Sequence, residues 1–171
     1  MPTGLPDLID PLMLCERGKM LGGCLPIAGM DRLRKALLAP FADVEVELSF
    51  SMMGKGLPVI TGTLSTQVLA ECQRCLTPVE LLVNSDVHLQ VVVDDAAANH
   101  ISDQWEPLVF GGDGQLSLAQ IVEDELLVNL PAICLHEPAK CQQPDGHNEL
   151  AVAADKPNPF KLLSQLKNAE D

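Results

Sequence analysis

The sequence predicts an α+β domain: an antiparallel β-sheet of about four to six strands flanked by helices. The segment "DVEVELSFSM" alternates without a break, with Val44, Val46, Leu48 and Phe50 on one face and Glu45, Glu47, Ser49 and Ser51 on the other. That is the period of a half-buried strand. Two further long runs, "LPVITGTLSTQVLAEC" and "VELLVNSDVHLQVVV", follow it as strands. "SLAQIVEDELLVNLP" carries helical periodicity between Ser117 as N-cap and Pro131 as stop.

From the N-terminus, "DPLMLCERG" predicts a short helix, with Asp10 as N-cap and Pro11 at the first helical position. Gly22 and Gly23 are expected to break the chain, and "CLPI" to be extended. "MDRLRKALLA" predicts a helix capped by Asp31 and stopped by Pro40. "MGKG" supplies a turn between the first two long strands, which makes them a hairpin. After the third strand, "DDAAANHISDQ" is expected as a loop, "WEPLVF" as a short strand and "GGDG" as a turn. Residues 1–139 therefore constitute the expected domain. Residues 140–156 form a flexible, acidic and polar segment, and 157–171 a short helix or docking tail with Phe160, Leu162, Leu163 and Leu166 as its apolar side.

Composition narrows the function. The chain has 171 residues, 47% hydrophobic, enough to bury a sizeable core. Four Phe, one Trp and no Tyr argue against a platform of exposed rings for stacking bases. The net charge of −13, from 24 acidic side chains against 11 Lys and Arg, repels phosphate backbones and anionic lipid and attracts basic proteins. Asp7, Asp10 and Glu16 interrupt the N-terminal segment, so a signal peptide is not expected, and there is no apolar run of membrane-spanning length. The expected location is the cytoplasm, where the six cysteines stay reduced.

"ECQRCLTP", "WEPLVF", "LSLAQIVEDELLVNLP", "CLHEPAKC" and "KPNPFKLLSQLK", together with the opening "IDPLMLCERGKMLGGCLPIAGMDRL", occur in an order that resembles the YceD family, the large ribosomal RNA subunit accumulation proteins. The resemblance covers nearly the full length. It implies a bacterial factor needed for the synthesis, processing or stability of 23S ribosomal RNA, and supplies a pathway without catalytic residues. Its implied partners are the pre-ribosomal large subunit, 23S rRNA contacted directly or indirectly, or a basic ribosomal protein. No small-molecule substrate and no membrane are expected.

Cys72 and Cys75 have the spacing with which two thiolates meet one tetrahedral zinc ion. A complete site needs two more ligands, and "HEPAKC" offers His136 and Cys141, with Cys134 as a possible substitute. Members of the resembled family carry a cysteine-rich stretch here, reduced in this chain to one His and one Cys. Three alternatives stand: a zinc site, packed thiols without metal, and a redox dithiol. The last is disfavoured because the pair follows a strand instead of opening a helix, whose dipole lowers a thiol pKa. Cys15 and Cys24 are expected to be buried, His88 to lie at the surface, and His100 and His147 in polar loops.

Turning the strong helix by about 100° per residue places Glu125 near the middle of its apolar stripe, while Glu123 and Asp124 project away. A buried carboxylate needs a partner, and Arg74 inside the C-x-x-C is the candidate, with a solvated Glu125 as the alternative. Arg32, Arg34 and Lys35 form the one dense basic cluster and are candidates, with Arg74 and Lys55, for RNA or partner contact. A nuclease built on Glu123 and Asp124 is disfavoured, because neighbouring helical residues diverge and no second acidic cluster supports them. The expected function is that of a non-enzymatic factor. The competing readings are a structural zinc adaptor without RNA contact, a thiol-redox enzyme and a nuclease.

Overall fold

A computed structural model describes residues 4–141 apart from 40, 55 and 113. The expected segment beyond Cys141, the helix or docking tail at 157–171, His147 and Lys55 lie outside the described residues. The elements in chain order are β1 (Leu8–Ile9), α1 (Pro11–Glu16), β2 (Met20–Pro26), α2 (Asp31–Ala36), β3 (Asp43–Met53), β4 (Leu57–Glu71), β5 (Pro78–Val92), α3 (Asp95–Ala98), β6 (Glu106–Val109), β7 (Leu116–Ser117) and α4 (Leu118–Asn129).

The architecture is α+β. A five-stranded sheet has the order β2-β3-β4-β5-β6, and β1 pairs with β7 in a separate two-stranded ribbon. The first four strands of the large sheet are antiparallel, whereas β6 runs parallel to β5. The sheet is thus mixed, not purely antiparallel. Residues 93–105, including α3, give the chain the length of about a dozen residues that a parallel connection requires. The β4–β5 ladder runs unbroken from Val59↔Gln90 to Glu71↔Pro78.

One face of the sheet is the core. Val44, Val46, Leu48 and Phe50 of β3 meet Ile60 and Leu64 of β4 and Val83 and Val87 of β5, beneath Leu118, Ile121, Val122 and Leu126 of α4. The opposite face exposes Glu45 and Glu47 of β3, and Glu80, Asn84 and Asp86 of β5. The strand alternation drives this division, since each strand can bury its apolar residues only by presenting the other set to water. Gly62 in β4 is demanded by packing: a Cβ there would collide with the Glu47 carbonyl oxygen.

Local signals hold at the starts of α1 and α4, whereas the expected Asp31 cap fails, because Asp31 is the first residue of α2 and Met30 holds the N-cap position. Asp10 accepts from the Met13 N–H at 3.0 Å, with Pro11 opening α1, and Ser117 accepts from Gln120 N–H at 3.4 Å. Two element boundaries also differ from expectation. The chain does not break at Gly22 and Gly23; β2 runs through both, because β3 offers a ladder for every residue from Met20 to Pro26. α2 ends at Ala36, well before Pro40, because Leu38 turns out to bridge Leu69 of β4, its N–H donating to the Leu69 carbonyl at 2.7 Å.

α2 also lacks a cap of its own, since Met30 at its N-cap has no side-chain acceptor. Glu123 of α4 takes that role across the fold. Its Oε1 accepts from the N–H groups of Arg32 and Leu33 at 2.7 and 3.0 Å, and Oε2 accepts from Arg32 Nε and Nη2 at 3.0 and 2.9 Å. Arg32 Nη2 also reaches Asp124 at 2.6 Å. Glu123, expected to project into solvent, is therefore buried, being 5% exposed. One carboxylate caps α2 and ties it to α4 through a fork of charge-assisted bonds.

Glu125 is buried as well, but on different terms. Its carboxylate accepts from Ser85 Oγ at 3.4 Å, and Asn129 Nδ2 donates to the same hydroxyl at 3.0 Å. Among the described residues Arg74 makes no ion pair, so the expected Arg74–Glu125 pairing is replaced by a neutral network. The reason is placement: Arg74 sits exposed in the turn beyond the end of β4, whereas Glu125 faces the middle of β5.

These two carboxylates titrate in opposite senses. Burial pushes Glu123 up, but the Leu33 N–H, the Arg32 guanidinium and the Arg32 N–H outweigh it and hold the group below its ordinary value. Its stabilisation is present above the unfolded pKa of about 4.3 and is lost as pH falls through the folded value. Burial, reinforced by Glu106, raises Glu125, against the opposing Ser85 hydroxyl. Its contribution is full below the unfolded pKa and is lost as pH rises through the folded one. Glu123→Gln is expected to lose about 1–3 kcal/mol at pH 7. Glu125→Gln is expected to match or exceed the parent at pH 7, with the two converging below about pH 4. Urea unfolding as a function of pH measures both. Gly62→Ala is expected to lose about 2 kcal/mol or more, by overpacking against the β3 backbone, in the same assay.

Candidate metal centre

The C-x-x-C lies where the β4–β5 ladder ends. Cys72 follows β4 directly, and residues 72–77 turn the chain back into β5 at Pro78. The Cys72 N–H donates to the Thr77 carbonyl at 2.9 Å and the Leu76 N–H to the Cys72 carbonyl at 2.8 Å, closing a tight knuckle. The turn needs a left-handed residue, which falls on Leu76 at φ +59°. A non-glycine side chain there costs about 1–2 kcal/mol, and Leu76 is nevertheless 65% exposed.

The second half of the site returns from α4. Pro131 lies just beyond the helix end, and the irregular segment that follows docks on the knuckle: the Gln73 N–H donates to the Cys134 carbonyl at 2.9 Å, and Gln73 Nε2 to the Ala132 carbonyl at 3.4 Å. A turn at Glu137–Cys141, with Lys140 and Cys141 N–H groups both donating to the Glu137 carbonyl, then presents Cys141.

The four sequence candidates, Cys72, Cys75, His136 and Cys141, converge, with one ligand atom from each lying within 4.8 Å of every other. Cys72 Sγ and Cys141 Sγ are 4.0 Å apart, and Cys75 Sγ lies 3.3 Å from His136 Nδ1. Thiolates bound at about 2.3 Å to a tetrahedral ion stand roughly 3.8 Å apart, so the spacing suits such an ion. His136 Nε2 lies 3.0 Å from the Pro78 carbonyl. A proton on Nε2 donates there and leaves the Nδ1 lone pair facing the sulfurs, the outer-sphere bond that orients a metal-binding imidazole. Cys134, the considered substitute, is not in the group; its Sγ turns to the Pro131 carbonyl at 3.6 Å. This cluster of residues could hold a metal ion.

The electrostatics point the same way. Burial raises Cys72, but the N–H groups of Cys75, His136 and Arg74 bring it down to about 5. The Thr77 hydroxyl and N–H lower Cys75. Cys141 is raised, by burial and by the other two thiols. Two of the thiols are thus lowered and the third raised, a conflict that a divalent cation among them removes. The apolar support is thin: Ala70, Cys72, Cys75 and Val79 form a small cluster apart from the main core.

The basic candidates are dispersed. Arg32 is consumed by Glu123 and Asp124. Arg34 lies 3.5 Å from Asp31, donates to the Ala28 carbonyl at 3.3 Å and stands over the Phe41 ring at 5.4 Å. Lys35 and Arg74 are exposed. Cys24, expected to be buried, is exposed on β2, while Cys15 is buried and its Sγ donates to the Val59 carbonyl at 3.4 Å. The role of Glu123 is not evident in the sequence, where Asp31 is the expected cap of α2 and Glu123 is placed away from the apolar stripe.

Metal content separates the cysteines. Cys141→Ser and Cys72→Ser are each expected to lower bound metal in the purified, reduced protein, and Cys134→Ser to leave it unchanged, as read by elemental analysis.

Residues 60–167, which include the four clustered residues, match the family described as large ribosomal RNA subunit accumulation protein YceD. The chain is also 29% identical over 167 residues to a Haemophilus influenzae protein named large ribosomal RNA subunit accumulation protein YceD, an alignment covering 95% of this chain and 96% of the relative. No solved structure matches the chain. A match across more than half of the chain, joined by a full-length relative of the same name, is decisive: the chain belongs to the YceD family.

Proposed function

We propose that this chain is a non-enzymatic cytoplasmic factor supporting the synthesis, processing or stability of 23S rRNA during assembly of the large ribosomal subunit. The observation that carries this reading is the family match over residues 60–167. The chain acts through a basic ribosomal protein or a precursor particle, to which its net charge of −13 draws it. Among the described residues no helix is long and apolar enough to cross a membrane.

Zinc held by Cys72, Cys75, His136 and Cys141 is a structural part of this factor. Three thiolates and an imidazole are a closed donor set that leaves no position for a substrate, as in structural zinc sites. The ion staples the knuckle to the segment that follows α4, where apolar packing is scant. The exposed Arg74 and Leu76 at the knuckle tip are then rigid contact residues, which also suits an adaptor without RNA contact of its own. Thiol exchange is less well supported, because the pair closes a strand end. A nuclease is less well supported because Glu123 spends both oxygens on Arg32 and α2.

The purified protein is expected to contain about one zinc per chain, with none after Cys72→Ser and Cys75→Ser together; a metal-free parent would sink the zinc assignment. In cells, loss of the chain is expected to lower 23S relative to 16S rRNA, and the tagged chain to sediment with large-subunit precursors at low salt. Unchanged rRNA ratios and no association with any large-subunit component would overturn the functional reading.

A further inference from the structure

β2 is an edge strand whose outer side is bare among the described residues. The Phe50 N–H donates to the Lys19 carbonyl at 2.8 Å, so in this register Lys19, Leu21, Gly23 and Leu25 turn their backbone groups toward β3. Met20, Gly22 and Cys24 turn theirs outward, and no described strand or loop pairs with them. The usual protections of an edge are missing. The strand has no charged residue, and its single proline, Pro26, stands at its end.

Above this edge the solvent face of the sheet opens into a trough of about 500 Å³, lined by Gly22, Cys24, Glu45, Glu47, Thr63 and Ser65. Gly22 lies opposite Glu47 and Cys24 opposite Glu45. Neither carboxylate has an ion-pair partner among the described residues, and the outward positions of β2 to β5 carry no Lys or Arg. The gap at Gly22 is not required by folding. Its φ is not in the left-handed region, and a Cβ would meet nothing nearer than the Val46 carbonyl oxygen at 3.9 Å. Gly62 on β4, where a Cβ does not fit, is the contrasting case. Glycine weakens a strand interior, and where packing does not demand it, it marks close approach of another chain.

We propose that the free edge of β2 is a docking strand for an extended, Lys- or Arg-bearing segment of a partner protein, which adds to the sheet and lays its basic side chains across Gly22 onto Glu45 and Glu47. This rests on the functional reading above and names the surface through which the basic partner is held. Backbone groups of Met20, Gly22 and Cys24 supply the ladder, and alternate side chains of the added strand share the face of the two carboxylates. The added strand lies two strand spacings, about 10 Å, from β3, within reach of a Lys or Arg extended toward a Glu. A second copy of this chain is the poorer occupant, since pairing two such edges brings four unpaired carboxylates together.

The test uses the full-length chain and a synthetic peptide alternating Lys with Val, with an analogue N-methylated at alternate residues so that one edge loses its donors and keeps its charge. At low salt the peptide is expected to bind and to slow hydrogen exchange at Met20, Gly22 and Cys24, and the methylated analogue to fail. Gly22→Val is expected to unfold at the same or higher urea concentration yet bind about tenfold more weakly, as is the Glu45→Lys, Glu47→Lys double variant. Equal binding of the methylated analogue, protection elsewhere, or full-strength binding by Gly22→Val overturns the proposal. So does slow exchange at these amides in the free chain, which means the edge is already covered. A Gly22→Val chain that sediments with large-subunit precursors as the parent does would remove this edge while leaving the functional reading intact.

Discussion

The uninterrupted pairing of β4 with β5, from Val59↔Gln90 to Glu71↔Pro78, is the constraint on which the rest of the molecule depends. Strand period 2 makes the pairing decide both faces at once: a slip of one residue would expose Leu64, Val83 and Val87 and bury Thr63, Ser65 and Asp86. The same register delivers Cys72 to the end of the ladder, so that the turn to Pro78 can carry Cys75 back beside it. β5 in addition supplies the floor for α4 and the template for β6. The cysteine–histidine cluster therefore lies where the β4–β5 ladder ends, and its geometry is inherited from the hydrogen bonds below it.

Two charged devices secure this fold, and they differ in kind. Glu123 ties α2 to α4 through a carboxylate that is ionised, buried and fully bonded, which makes it an acid-sensitive joint. Where the β4–β5 ladder ends, three sulfurs and an imidazole are crowded where few apolar side chains are available. A joint of that type could draw its energy from a cation. Among the described residues the solvent face of β2 to β5 is acidic and carries no Lys or Arg. Its β2 border is open among the described residues, and there a glycine that the backbone does not need leaves room beside Glu45 and Glu47. The charge imbalance visible in composition thus has a direction in space.

The basic residues illustrate how a cluster in sequence can disperse in three dimensions. Arg32, Arg34 and Lys35 lie within four positions, yet Arg32 pairs with Glu123 and Asp124 while Arg34 stands over Phe41. Of the described candidates, Lys35 and, far along the chain, Arg74 are exposed and make no ion pair among the described residues. A short helix points successive residues in different directions, and a helix without its own cap recruits whatever acceptor its neighbour presents.

The fold class was legible in the sequence because alternation and helical period are local: β3, β4, β5 and α4, with the caps Asp10 and Ser117, all follow from neighbours in the chain. The four members of the cysteine–histidine cluster were legible as residue types at ligand spacing, since C-x-x-C and the later His and Cys are chemical signals. Tertiary structure alone decided the parallel direction of β6, the strand running through Gly22 and Gly23, and the exposure of Cys24. It also decided that Cys141, and not Cys134, faces Cys72, and that Glu123 rather than Glu125 meets an arginine. Each of these outcomes depends on a partner distant in the chain. Residue order specifies which way a side chain leaves its own backbone, but not what will be waiting there.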